Sequence, residues 1–370
     1  MFEEIISVEN LFAAWREFRK GKRKKRDVQH FERHLEDNLF QLHDDLWRGQ
    51  YCHGPYERFH IFDPKHRIIH KATVRDRVVH HAVSRILSPV FEPSFIFDSY
   101  SCRLEKGTHA AVHRLEFFVR KVSRNYTRPC WALKIDIAKF FDSMDHTILL
   151  RLLSRRITDT HTLALLRNII SSFSVSPVDK IAERERESSG HPGSGAGIHD
   201  RFLLDPRLCG DDRGVPIGNL TSQLFANVYL NPLDHFVKEI LRVPYYLRYT
   251  DDCIMLHHNP VQLVALLPAI RSFLHGHLAL DLHLRKITLR KLRQGIDFLG
   301  YATLPHYRVL RTRTKRRMFR RLMIQDERRE ARVQSYLGML QHCHSHTFSR
   351  SVASLLVSPF SGTLEEVVSS

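Results

Sequence analysis

The sequence predicts an α+β fold, on three observations. Residues 131–137, Trp-Ala-Leu-Lys-Ile-Asp-Ile, alternate in character as a strand does. Residues 245–256 carry two short apolar runs on either side of Tyr249-Thr250-Asp251-Asp252, the pattern of two strands joined by a tight turn. Helical patterns precede, separate and follow these strands. The chain has 370 residues, enough for two or three subdomains with cores of their own, and its 43% hydrophobic content excludes wholesale disorder.

The elements follow in order. Residues 1–50 read as polar helices with a basic block from Arg19 to Arg26, divided evenly between a solvated helix end and a contact for nucleic-acid phosphates. Residues 56–125 mix short strands and helices. In 131–137, Leu133, Ile135 and Ile137 share one face, and Ala132, Lys134 and Asp136 share the other, so Asp136 leaves a buried strand toward open space. Residues 145–175 read as helices. Between Lys180 and Gly214 a charge-alternating run gives way to a stretch rich in Gly, Ser and Pro, which holds six of the sixteen glycines. That density marks a surface insertion. Part of it, Ala196 to Leu208, resembles a translated palindromic bacterial repeat, and Asp211 and Asp212 inside it are loop residues. Residues 219–240 form a helix capped by Thr221 or Ser222, with Leu224, Val228, Leu233 and Phe236 on its apolar side. The hairpin at 245–256 comes next, then a helix at 260–280, a strand region at 295–303 and basic helices over 312–357.

Lys plus Arg number 57 against 40 Asp plus Glu, a formal charge of +17. Such a balance fits a polyanionic partner without naming one. Six cysteines without a Cys-x-x-Cys pair suit a reducing compartment. The N-terminus lacks a signal-peptide core and no apolar run reaches membrane-spanning length, so a cytoplasmic protein with no membrane partner is expected. His342, Cys343, His344 and His346 cluster near the C-terminus; four zinc ligands so close in sequence do not easily form a tetrahedron, and a polar helix end is the preferred reading.

The chemistry rests on carboxylates. A hairpin tip with two of them suits hard divalent cations. Nucleotidyl transfer needs two such ions, held by rigid carboxylates from separate elements. Asp136 and Asp251, far apart in the chain and each on a strand, supply the pair, with Asp252 as auxiliary. Mg²⁺ is the expected metal, with Mn²⁺ an acceptable substitute.

Several motifs in order, from about Tyr56 to Gly338, resemble reverse transcriptases. Tyr249-Thr250-Asp251-Asp252 is their hallmark, and Ile135-Asp136-Ile137-Ala138-Lys139-Phe140-Phe141-Asp142 resembles their first catalytic motif. The resemblance implies a right-hand polymerase fold: fingers, a palm of antiparallel sheet with helices, and a short helical thumb. Residues 1–55 would be a basic helical extension, 56–302 fingers and palm with the insertion at about 180–214, and 303–370 thumb and tail. It implies that Asp136, Asp251 and Asp252 are metal ligands, and that Phe141 is a gate against a 2′-hydroxyl; two adjacent aromatics on one strand cannot both point inward. Lys65-His66-Arg67-Ile68-Ile69-His70-Lys71 with Arg75-Asp76-Arg77 is similar to a fingers segment of group II intron enzymes. There Lys65 and Arg67 would meet the incoming triphosphate, while Asp76 and Arg77 form an ion pair. Phe97 to His109 matches the next family segment, expected along the template. Leu284-Arg285-Lys286-Ile287 resembles the motif whose lysine protonates pyrophosphate, which makes Lys286 a candidate general acid. Gly295 to Tyr301 resembles the primer grip, and Ser335-Tyr336-Leu337-Gly338 a thumb segment.

Group II intron and retron enzymes carry Pro-Gln-Gly, then Ser-Pro, before the helix between the catalytic strands. Here the run is Val215-Pro216-Ile217-Gly218-Asn219-Leu220-Thr221-Ser222-Gln223. Ile217 in place of glutamine and Gln223 in place of proline resemble diversity-generating retroelement reverse transcriptases. Those relatives copy a template-repeat RNA into cDNA, misincorporate opposite adenines and work with a small basic accessory protein. The expected partners are therefore template RNA, a DNA primer or cDNA, deoxynucleoside triphosphates and such a protein. Ile217, Gly218 and Gln223 would lie against the templating pair, where an apolar side chain loosens discrimination. A group II intron-like or phage-defence reverse transcriptase, and a catalytically idle RNA-binding scaffold, are the alternatives.

Overall fold

The computed structural model describes residues 1–62, 67–173, 213–324, 326, 329–344 and 352. The chain opens with helices α1 (Phe2–Ile6), α2 (Val8–Phe18), α3 (Arg26–Arg33) and α4 (Leu35–Trp47), then strands β1 (Glu57–Ile61) and β2 (Arg67–Lys71). Helices α5 (Val74–Phe91) and α6 (Thr108–Ser123) precede strand β3 (Trp131–Asp136), and α7 (Phe140–Ser143), α8 (His146–Ser154) and α9 (Thr160–Ser171) follow it. Next come α10 (Leu220–His235), β4 (Tyr246–Tyr249), β5 (Asp252–His257), α11 (Pro260–Ala265) and α12 (Leu267–Leu278). The last elements are β6 (Thr288–Lys291), β7 (Ile296–Phe298), β8 (Tyr301–Thr303), β9 (Arg308–Leu310), α13 (Thr312–Leu322) and α14 (Arg329–Leu340). The α+β class is that of the sequence reading, with antiparallel sheets. Among the described residues no helix is long and apolar enough to cross a membrane.

The chain divides into two compact units. The first comprises Met1–Phe97, Ile137–Ile240 and Ile270–Leu282. In it α5 packs against α1, α2, α3 and α10, and α10 packs in turn on α8. Side chains set the helix starts: Thr73 Oγ1 caps α5 by accepting from the Asp76 amide at 3.2 Å, and Asp145 caps α8 by accepting from the Ile148 amide at 2.9 Å. Two expectations are corrected. The N-cap of α10 is Asn219, without a side-chain cap, while Thr221 Oγ1 faces His80 Nδ1 at 3.0 Å. That helix is also buried on more than one side, since Thr221, Ser222, Asn227 and Asp234 are covered along with its apolar residues. Sequence polarity is a weak guide where a helix runs through a core and its polar groups find internal partners.

The second unit comprises Asp98–Asp136, Leu241–Ala269 and His283–Ser370. Its four-stranded sheet has the order β4-β5-β3-β6, with each neighbouring pair antiparallel. A three-stranded sheet, β7-β8-β9, completes the unit. One core of α6, sheet and C-terminal helix residues, including Leu115, Val119, Ile254, Phe298, Tyr301 and Met318, holds these elements together. Most of the Lys180 to Gly214 insertion, Asp211 and Asp212 among it, lies outside the described residues.

Candidate active site

Strand register brings the carboxylates together. In the β3–β5 ladder Asp136 stands directly opposite Asp252. Residues so opposed in an antiparallel pair have Cα atoms about 4.5–5.5 Å apart. Asp251 lies in the two-residue turn between β4 and β5, next to Asp252. Burial, and after it the charge of Asp136, push the Asp251 carboxyl up to about 6. Asp136 Oδ1 is buried without a hydrogen-bond partner, and Oδ2 accepts from Lys286 Nζ at 2.7 Å. The Asp136 side chain is only 14% exposed, so it is largely covered rather than set in the open space expected from alternation alone. Lys134 Nζ lies 3.0 Å from Asp252 Oδ1. Among the described residues, no three His, Cys, Asp or Glu side chains are gathered closely enough to hold an ion as they stand.

The turn that carries Asp251 is held from below. Thr250 adopts φ of 53°, a left-handed conformation that a β-branched residue rarely takes. Arg248, fully buried, donates to Thr250 O at 3.0 Å and to Ser99 Oγ at 3.1 Å. Thr250 Oγ1 donates to Ser101 Oγ at 2.7 Å. The backbone of 98–100 pairs with Arg248, through Arg248 N to Asp98 O and Tyr100 N to Arg248 O. Asp98, Ser99, Tyr100 and Ser101 are accordingly buried. The expectation that this whole segment lies along the template is corrected: its first half buttresses the turn. Arg248 and Lys134 are the side chains that sequence reasoning passed over. The signals were a lone arginine in an apolar strand and a lysine sharing Asp136's face.

The first unit gathers a second set. Gly218 has φ of 112°, and a Cβ there would stand 3.2 Å from Ile69 Cγ2 of β2. The Ile217-Gly218 turn therefore lies against the strand that begins with Arg67, whose side chain is exposed. Val215 N donates to Phe141 O at 2.8 Å, which places Phe141 beside the same run. Phe140 is buried and Phe141 half-buried, although the pair opens a short helix and not a strand. Ile217 and Gln223 are half-buried and Gly218 is exposed. Lys65 lies outside the described residues. The expected Asp76–Arg77 ion pair does not form. Asp76 accepts from Tyr51 Oη, Gly54 N and Thr73 Oγ1, and Arg77 pairs with Asp27 at 2.7 Å. Adjacent helix residues point in different directions, and the buried helix start has more use for an acceptor.

The C-terminal cluster divides between other tasks. His342 stacks on His109 with centroids 3.7 Å apart, and Arg308 N donates to His344 Nδ1 at 3.4 Å. His346 lies outside the described residues.

Residues 62–303 match the family model described as reverse transcriptase, an RNA-dependent DNA polymerase. This chain belongs to the reverse transcriptase family. Among similar proteins, YkfC of Escherichia coli (strain K12) is 24% identical over 294 residues, covering 70% of this chain and 69% of its own length. The group II intron-encoded protein LtrA of Lactococcus lactis subsp. cremoris is 24% identical over 208 residues, or 55% of this chain and 29% of LtrA. Among solved structures, an apo telomerase from Candida tropicalis aligns with a TM-score of 0.48 and 13% identity, over 77% of this chain and 53% of that one. The chain thus spans about two thirds of YkfC but well under two thirds of the other two.

Proposed function

We propose that this reverse transcriptase extends a DNA primer on an RNA template, and that it serves a diversity-generating retroelement. The observation that carries the polymerase chemistry is Asp136 opposed to Asp252 across β3–β5, with Asp251 in the adjoining turn. Two features fit a divalent cation there: a buried carboxylate oxygen on Asp136 that no donor satisfies, and an Asp251 carboxyl raised by burial and by Asp136. Both are relieved by a hard cation taking oxygen ligands. Asp136, Asp251 and Asp252 would hold Mg²⁺ or Mn²⁺, which when bound lowers the pKa of the primer 3′-hydroxyl and stabilises the leaving pyrophosphate.

The remaining roles belong to the chain's own side chains. Lys286 donates to Asp136 Oδ2 and is 43% exposed on its other side, so exchanging that contact for pyrophosphate would let it deliver a proton. Arg67, with Lys65, would meet the triphosphate, as guanidinium and ammonium groups pair with phosphate. Phe141 would exclude the 2′-hydroxyl, and Ile217, Gly218 and Gln223 would border the templating pair. Over the chain as a whole we place a basic helical extension at 1–55, fingers and palm at 56–302 and a thumb from 303 onward, in a cytoplasmic protein that works with a small basic accessory protein.

The retroelement role is supported by Ile217 and Gln223. A group II intron-like role is the second reading, favoured by the similarity to LtrA. Primer extension on a defined RNA with Mg²⁺, run beside Asp251→Ala, tests the chemistry: equal signals from the two proteins would leave only nucleic-acid binding. Sequencing the products separates the biology. Errors concentrated opposite adenine are expected, and a flat error spectrum would favour the intron-like reading.

A further inference from the structure

The first unit contains a cleft of about 720 Å³, a volume within the range of ligand sites. It is lined from the end of α5, the turn Glu92–Ser94, the end of α8 and the second half of α10. Its polar lining is cationic. Arg155 closes α8 and Arg156 follows it, both exposed. Among the described residues neither guanidinium has an ion pair or a side-chain hydrogen bond. On α10, His235 Nδ1 lies 2.6 Å from Glu239 Oε1, and its Nε2 lies 2.9 Å from Ser94 O. A carboxylate and a carbonyl only accept, so both ring nitrogens carry protons and the ring is an imidazolium. Glu239 offsets that charge, and the bond to Ser94 O ties α10 to the turn after α5. The two arginines keep theirs uncompensated. Asn231 stands four residues before His235 on the same side of α10, and its Oδ1 is buried without a partner. Turned about its last torsion, that amide offers N–H in place of oxygen. No Phe, Tyr or Trp lines the cleft, so a nucleobase has nothing to stack on. What remains suits phosphate, which guanidinium forks match.

We propose that this cleft binds a backbone phosphate of a nucleic-acid strand, held by Arg155, Arg156 and Asn231 without regard to the bases. His235 joins its two walls. From Leu220 to His235 the axis of α10 rises about 22 Å, so the cleft lies at the far end of that helix from the Ile217-Gly218 turn. It is a second hold on the strand, apart from the proposed templating pair, and it needs no catalysis to act.

The test uses the full chain, with a short fluorescein-labelled oligouridylate in one arm and inorganic phosphate in the other. Anisotropy follows the oligomer and calorimetry the free ion. Arg155→Gln with Arg156→Gln is expected to weaken oligomer binding about tenfold and to flatten its log–log salt slope by about 0.7, the share of one phosphate contact on a single strand. Arg155→Lys with Arg156→Lys keeps the charge without the fork and is expected to lose about threefold. Asn231→Ala is expected to lose about threefold as well. Arg167→Gln with Arg271→Gln removes the same charge from exposed positions elsewhere and is expected to change binding less than about twofold. Equal losses from the two glutamine pairs would overturn the proposal, because bulk charge would then account for the binding. Unchanged oligomer affinity in Arg155→Gln with Arg156→Gln would overturn it directly, even where binding of inorganic phosphate is lost. A chain that shows the expected losses yet extends no primer sinks the polymerase reading and leaves this site standing.

Discussion

Asp251 is half-buried beside another carboxylate, and its covered surroundings and the Asp136 charge push its carboxyl from the ordinary value of 3.8 up to about 6. Each unit corresponds to about 1.4 kcal/mol, so an ionised Asp251 at neutral pH opposes folding by roughly 3 kcal/mol. Asp251→Asn should therefore raise the melting temperature by several degrees in a chelating buffer while removing primer extension, which calorimetry and an extension assay check together. This is the trade expected where function requires a charge the fold would discard. Ile217 makes the opposite kind of residue-scale prediction, about fidelity rather than stability. Ile217→Gln restores an amide beside the proposed templating pair, and errors opposite adenine should fall about tenfold with overall extension little changed. Product sequencing measures both.

At the scale of elements, the β4–β5 hairpin depends on an arginine it hides. Arg248 satisfies Thr250 O and Ser99 Oγ from a fully buried position, and the Thr250 backbone is strained without that support. Arg248→Met should cost about 3 kcal/mol, by leaving buried acceptors unpaired, and should lower extension at least about tenfold. Urea melts and extension rates are the readouts. The Ile217-Gly218 turn depends on the absence of a side chain. Gly218→Ala meets both a positive φ and Ile69 Cγ2 at 3.2 Å, so a loss of about 1–2 kcal/mol is expected. Adding Ile69→Ala, which removes Cγ2, should return only the steric part, which a double-mutant cycle resolves. Much of this scale was legible in advance. The strand at 131–136, the hairpin and the helices from α8 to α14 lie where alternation and apolar spacing place them. Illegible were the burial of α10 on several sides and the pairing of 98–100 with β4, because both depend on neighbours distant in sequence.

At the scale of the molecule, buried and half-buried histidines set the acid limit. Burial, followed by Arg58, lowers His70 to about 4, and burial, followed by Lys22, lowers His81 to about 4. Burial also lowers His53 and His80. All four belong to the unit built on α5. Above pH 6.5 they are neutral whether folded or unfolded. As pH falls from about 6.5 toward 4, the unfolded chain takes protons that the folded one refuses, so stability drops across that window, by roughly 3 kcal/mol for His70 alone. Hydrogen exchange at pH 5 should show this unit losing protection before the sheet unit does. His80→Gln, if it keeps the contact to Thr221, should soften that loss.

The sequence by itself determined the α+β class, the strands that carry Asp136 and Asp252, and membership in a polymerase family. These follow from periodicity and from motifs contiguous in the chain, and short-range order survives in one dimension. Tertiary structure alone decided which oxygen of Asp136 is unsatisfied, that Lys134 meets Asp252, and that Arg248 carries the turn. Those are properties of register and burial, set by which distant strand lies opposite, and a charge has no pKa or partner until that neighbour is in place.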